Sequence, residues 1–174
     1  EVGSSGFAIN GYLSGANVLC DVNGNHQLDA GEASATTDPD GFFKLATLCS
    51  STLMASGGIN TNTQQAFNGR LKAPVGSTMI TALTTLLAEG LPMERVATVL
   101  NLAGTTDLRN TDPARRVGGV YENADLYRKT QVIQLLIQRL AEAAMSSGGG
   151  GLPMPQLYGE VAASLAVALR DGGA

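Results

Sequence analysis

Residues 21–32 read Asp-Val-Asn-Gly-Asn-His-Gln-Leu-Asp-Ala-Gly-Glu. Side-chain oxygens fall at Asp21, Asn23, Asn25, Asp29 and Glu32, positions 1, 3, 5, 9 and 12 of the stretch, with Gln27 at position 7. Only 15% of the chain is charged, yet three carboxylates share these twelve residues. Without a cation they would repel one another. Calcium takes about six to eight oxygens, and this spacing lets a short loop wrap one ion. A terminal carboxylate closes the shell, and position 7 usually contributes its backbone carbonyl. Asn23 and Asn25 add oxygens without adding charge. The expected cofactor is therefore Ca2+, held by Asp21, Asn23, Asn25, Gln27, Asp29 and Glu32. The alternative is a solvated Asn/Gly turn that holds no ion.

An EF-hand loop needs Gly at position 6 for its sharp turn, and helices on both sides. Here position 6 is His26, and Gly24 stands at position 4. The preceding Ala-Asn-Val-Leu-Cys reads as a strand. The loop is thus expected to carry EF-hand-like ligand spacing in a β context, with His26 an exposed turn residue and no ligand.

The hydrophobic fraction of 44% supports a core, and the 11 basic residues of a chain with net charge −4 are scattered. That argues against nucleic acid, which needs clustered Lys and Arg. Arg115–Arg116 reads as a solvated face. No apolar run is long enough for a membrane span. The opening Glu-Val-Gly-Ser-Ser-Gly reads as a linker, so the chain is expected to be a piece of a larger protein.

Two textures divide the sequence. Residues 7–75 hold short, partly alternating stretches (FAINGYL, ANVLC, GFFKLATLC, STLMASG, FNGRLKA) separated by turn clusters. Asp38-Pro39-Asp40-Gly41 is a strong turn signal, with Pro at the second position and Gly at the end. Strands at this spacing without helical periods predict an antiparallel sandwich. After Val75 the period changes to helical. Ser77 is placed to cap a helix ended by Gly90, and Pro92 opens a second that stops at Gly104. Residues 122–145 form the strongest helix, with Leu126, Val132, Ile133, Leu136, Ile137, Leu140 and Ala144 as its apolar face. SSGGGG at 146–151 is a flexible connection. A last helix over roughly 155–170 spaces Leu157, Val161, Leu165 and Leu169 four apart. The expected fold is α+β: an N-terminal antiparallel β-sandwich over 1–75, then a small helical bundle over 76–174 packed on or beside it.

Cys20 and Cys49 are either a disulfide or two separate buried thiols. Both end segments that read as strands, and adjacent strands would bring them within bridging range. A disulfide is expected in an oxidising compartment.

The segment GANVLCDVNGNHQLDAGEASATTDPDGFFKL resembles the SdrD B-like (Cna-B-type, prealbumin-like) modules of bacterial surface adhesins. The match runs through Gly15, Ala16 and Val18; Asp21, Asn23, Asn25, Asp29, Gly31 and Glu32; and Thr36, Thr37, Asp38, Gly41 and Phe43. The resemblance implies a prealbumin-like sandwich with structural calcium, in a secreted or cell-surface protein whose modules act as stalks or presenting domains. Leu71-Lys72-Ala73-Pro74, Gly76-Ser77 and Leu83-Thr84-Thr85-Leu86-Leu87 resemble the stretch that follows such a module in large RTX-adhesin-type proteins. Some relatives carry an internal Lys–Asn isopeptide bond formed by a Lys on the first strand. No Lys precedes Lys44 here, so that bond is not expected.

No nucleophile elbow, HExxH or P-loop pattern is present, and the single His lies in the acidic loop. The expected function is a non-catalytic structural or adhesive module at the bacterial surface. Its partners would be neighbouring modules of a larger surface protein, or a host or matrix protein or glycan. The alternative is a recognition domain, dockerin-like or ligand-binding, the latter through the polar stretch Asn60–Asn68. That stretch also reads as a mobile surface loop.

Overall fold

The computed structural model describes residues 2–172. Glu1, in the expected β module, and residues 173–174, in the expected helical region, lie outside them. The strands are β1 (Ser5–Ala8), β2 (Leu13–Ser14), β3 (Asn17–Asp21), β4 (Ser34–Thr36), β5 (Phe42–Lys44) and β6 (Thr52–Ser56). They continue as β7 (Ile59–Asn60), β8 (Gln65–Ala66), β9 (Arg70–Ala73) and β10 (Met79–Ile80). Helices α1 (Ala82–Ala88) and α2 (Met93–Val99) follow, then the ribbon β11 (Arg116–Val117) and β12 (Val120–Tyr121). Helices α3 (Ala124–Ser146) and α4 (Met154–Asp171) complete the order. The fold is α+β, with a C-terminal helical part.

The largest sheet has the order β4-β3-β6-β9 and is antiparallel throughout. Its central strands are covered on both faces, so Val18, Leu19, Cys20, Leu53, Met54 and Ala55 are all buried. Two three-stranded sheets have the orders β10-β1-β5 and β2-β7-β8, the second built of two-residue strands. β1 pairs antiparallel with β5 but parallel with β10, so strand pairing is not antiparallel everywhere. The opening stretch departs from its linker reading, because Ser5 and Gly6 lie in β1. A Cβ on Gly6 would stand 1.7 Å from the Thr78 carbonyl oxygen, so only glycine allows this approach.

Ala8, Val18, Phe43, Leu45, Leu53 and Leu71 of the sheets share one core with Leu83, Leu86, Ile133, Ile137 and Leu157 of the helices. The join is made by α1 lying on β9. Thr85 Oγ1 accepts from the Lys72 N–H (2.9 Å), and Thr84 Oγ1 donates to the Lys72 carbonyl (2.8 Å). These hydroxyls satisfy backbone groups that an edge strand leaves open.

Helix ends follow local chemistry. α1 starts later than Ser77 suggests, because Met79 and Ile80 join β10. Thr81 is its cap, accepting from the Leu83 and Thr84 N–H groups, while Thr84 returns a bond to the Thr81 N–H. Ser77 instead donates to the Pro74 carbonyl within a turn. Gly90, with φ +92°, ends α1 as expected. α2 ends before Gly104: Asn101 takes φ +49°, and the Leu102 N–H reaches the Ala97 carbonyl in a Schellman closure. α3 is rotated from its expected face. Val132, Leu136 and Leu140 are 57%, 40% and 45% exposed, and Leu126, Thr130, Ile133, Gln134, Ile137 and Ala141 are buried. Thr130 tolerates burial by donating to the Leu126 carbonyl, and Gln134 by donating to Tyr158. Likewise α4 buries Leu157, Tyr158, Ala162 and Ala166, with Val161, Leu165 and Leu169 only partly covered. No helix among the described residues is long and apolar enough to cross a membrane.

Candidate functional site

Loop 21–32 leaves β3 through a buried carboxylate. Asp21 is 2% exposed, and such burial is costly unless donors surround the charge. Oδ1 accepts the Gly24 N–H (2.8 Å), and Oδ2 accepts the His26 N–H (3.1 Å). The next two side chains make Asx turns: Asn23 Oδ1 accepts the Asn25 N–H (3.0 Å), and Asn25 Oδ1 accepts the Gln27 N–H (2.8 Å). Glu32 closes the loop by accepting the Val22 N–H on Oε1 (2.8 Å) and the Asp29 N–H on Oε2 (3.0 Å). The Asn23 and Asn25 amides both donate to one oxygen, Asp29 Oδ2, at 2.6 Å each. That is just below the ordinary range for N–H···O bonds. Three side chains thus crowd a single point.

Asp21, Asn23, Asn25, Asp29 and Glu32 are brought into one hydrogen-bonded loop. Gln27 joins through its backbone N–H, and its side chain is exposed. Each carbonyl or carboxylate oxygen that accepts one N–H keeps a second lone pair. The donors are all oxygen, which suits a hard cation. Among the described residues, no three His, Cys, Asp or Glu side chains gather at metal-holding distance. Two of the five donor side chains here are amides, and Asp21 turns its oxygens toward backbone N–H groups.

His26 is more than an exposed turn residue. Its φ of +63° supplies the left-handed corner that glycine would give at position 6. Its ring holds that corner: Nδ1 lies 2.9 Å from Asp21 Oδ2, and Nε2 lies 3.3 Å from Lys72 Nζ. Lysine has only protons to give, so Nε2 accepts and Nδ1–H donates to Asp21. Lys72 Nζ also reaches Glu89 Oε1 at 2.7 Å. An Asp21–His26–Lys72–Glu89 chain therefore ties the loop to β9 and to the end of α1. Asp21 and His26 share the loop, but nothing in the sequence links them to Lys72 and Glu89, because that link is made by tertiary pairing.

Behind this chain lies a polar cavity of about 360 Å³, lined in part by His26, Arg70, Lys72, Glu89 and Glu160. Burial lowers the Arg70 pKa, while Asp21 and Glu89 oppose that shift. At the base of the loop, Cys20 and Cys49 form a disulfide. Ser51 donates to the Asp21 carbonyl at 2.8 Å, adding a second fastening there.

No protein family, no curated protein and no solved structure matches the chain.

Proposed function

We propose that this chain is a non-catalytic structural or adhesive module of a secreted or cell-surface bacterial protein, with calcium held in loop 21–32. The observation that carries this is the convergence of the Asn23 and Asn25 amides on Asp29 Oδ2, between Asp21 and Glu32 carboxylates fixed by backbone N–H groups. Asp21, Asn23, Asn25, Asp29 and Glu32, with the Gln27 carbonyl, would hold the ion. The disulfide fits an oxidising compartment. Outside the cell, calcium on the order of millimolar fills even weak sites of this type. We read the two larger sheets, which feed one core, as a prealbumin-like sandwich. The only histidine has both ring nitrogens engaged, which leaves it poorly placed as a general base.

Calorimetric unfolding in calcium and in EGTA tests this. A melting temperature that falls on chelation, and recovers with added calcium, is the expected result. Equal melting temperatures would remove the metal from the proposal.

A second reading, a recognition domain for a neighbouring module or a host protein, is favoured by the apolar residues Val132, Leu136 and Leu140 left exposed along α3.

A further inference from the structure

We infer that the amide-lined cavity between the β7–β8 hairpin and helices α3 and α4 binds a neutral, polyhydroxylated ligand the size of one sugar ring. The cavity measures about 240 Å³, below the ~300 Å³ floor of drug-sized pockets, which is room for one ring. Asn60, Gln65 and Asn68 line the hairpin side, and Gln131, Gln134 and Gln138 line the α3 side. Phe67 and Tyr158 meet edge-on beneath them, with ring centroids 5.6 Å apart. Gly69 permits that floor, since a Cβ there would stand 2.7 Å from the Tyr158 ring and 2.8 Å from Phe67.

Two polar atoms among these walls lack partners among the described residues. Gln134 is 3% exposed, and its amide nitrogen donates to the Tyr158 hydroxyl, yet its Oε1 accepts nothing. The buried Nε2 of Gln131 donates to nothing. Buried polar groups are normally paired. Here an acceptor and a donor stay open just behind the cavity wall, on residues that line it, so a turn of either amide would present them to an entering molecule that both donates and accepts. Sugar hydroxyls do both, as do the amides around them.

Charge excludes the other classes. Among the described residues no Lys or Arg lines the cavity. The one carboxylate in its lining, Glu142, is already met by Gln138 (2.8 Å) and Arg139 (3.0 Å). A phosphate or carboxylate ligand would find no counter-charge, and an apolar one would strand the amides. The site stands apart from loop 21–32 and does not depend on calcium there.

The test is a titration of the whole isotope-labelled protein with free glucose, galactose, mannose, N-acetylglucosamine, fucose and xylose, followed by NMR, with inorganic phosphate and acetate as further arms. The expected result is saturable movement of the Gln131 and Gln134 side-chain amide resonances by at least one sugar. Gln134→Leu should weaken that binding roughly tenfold. Gln134 is buried, so Gln138→Ala, nearer the rim, carries the same test if the first variant does not fold. The inference is overturned if no sugar moves those resonances, which would leave a cavity filled by water only. It is equally overturned if only phosphate or acetate binds, or if the folded variants bind as the wild type does.

Discussion

At the scale of single residues, Asp21 and Asp29 do different work and can be told apart. Asp21 is buried and accepts from two backbone N–H groups and the His26 ring. Asp21→Ala strands those donors, and should cost about 1–3 kcal/mol even in chelator. Asp29 is exposed, and among the described residues its carboxylate meets only the two amides. Asp29→Asn should therefore change stability little in EGTA but remove most of the gain on adding calcium. Urea unfolding of both variants, with and without calcium, checks this; equal behaviour of the two would contradict it.

The tyrosines give a second residue-scale prediction. Burial raises the pKa of Tyr12, Tyr127 and Tyr158, with Tyr127 pushed up to about 12. An unfolded tyrosine ionises near 10. Above about 10 the unfolded chain binds fewer protons than the folded one, so stability falls as pH rises. This contribution is whole below about pH 10 and is lost as pH climbs through the folded values. With no Trp in the chain, phenolate absorbance reports the four tyrosines cleanly. Most of them should titrate late, together with the loss of circular dichroism.

At the scale of elements, the capping box of α1 and the disulfide are separable contributors. Thr81→Ala removes the acceptor for two N–H groups, and should cost about 1 kcal/mol by urea unfolding. Replacing both Cys20 and Cys49 by Ala should cost about 2–5 kcal/mol, matched by reducing the wild type. The elements differ in how far the sequence discloses them. The Asp38–Gly41 turn is local: its 3.0 Å Gly41 N–H to Asp38 bond and positive-φ glycine follow from four residues. The Gly90 stop is local in the same sense. The face α3 buries is not, because α1 and α4 decide it and Gln134 finds its partner on α4. The spacing of the acidic loop is equally plain in sequence. The His26–Lys72–Glu89 strut is not, since its members lie on three elements that meet only in the fold.

At the scale of the whole molecule, the question is whether ordering a surface loop stabilises everything else. Four fastenings say that it does: β3 carries Asp21 into the main sheet, Cys20 bonds Cys49, Ser51 holds the Asp21 carbonyl, and His26 leads through Lys72 to Glu89. A site of extracellular affinity, with Kd of about 0.1–1 mM, is ten- to a hundredfold saturated at about 10 mM calcium. That is worth about 1.4–2.7 kcal/mol, or roughly 3–10 °C for a chain of this size. Lys72→Met tests the route. It leaves Glu89 without its cation, and should cost about 1–3 kcal/mol, less than the ~3–5 of a fully buried pair because the Glu89 side chain keeps 17% exposure. It also frees His26 Nε2, so the amides of Gly24, His26 and Gln27 should exchange faster with solvent while those of β3 and β6 stay protected. The calcium increment in melting temperature should then shrink, because the loop can open without disturbing β9 and α1. An increment equal to that of the wild type would mean that β3 and the disulfide alone carry the coupling, and that the strut only shapes the corner at His26.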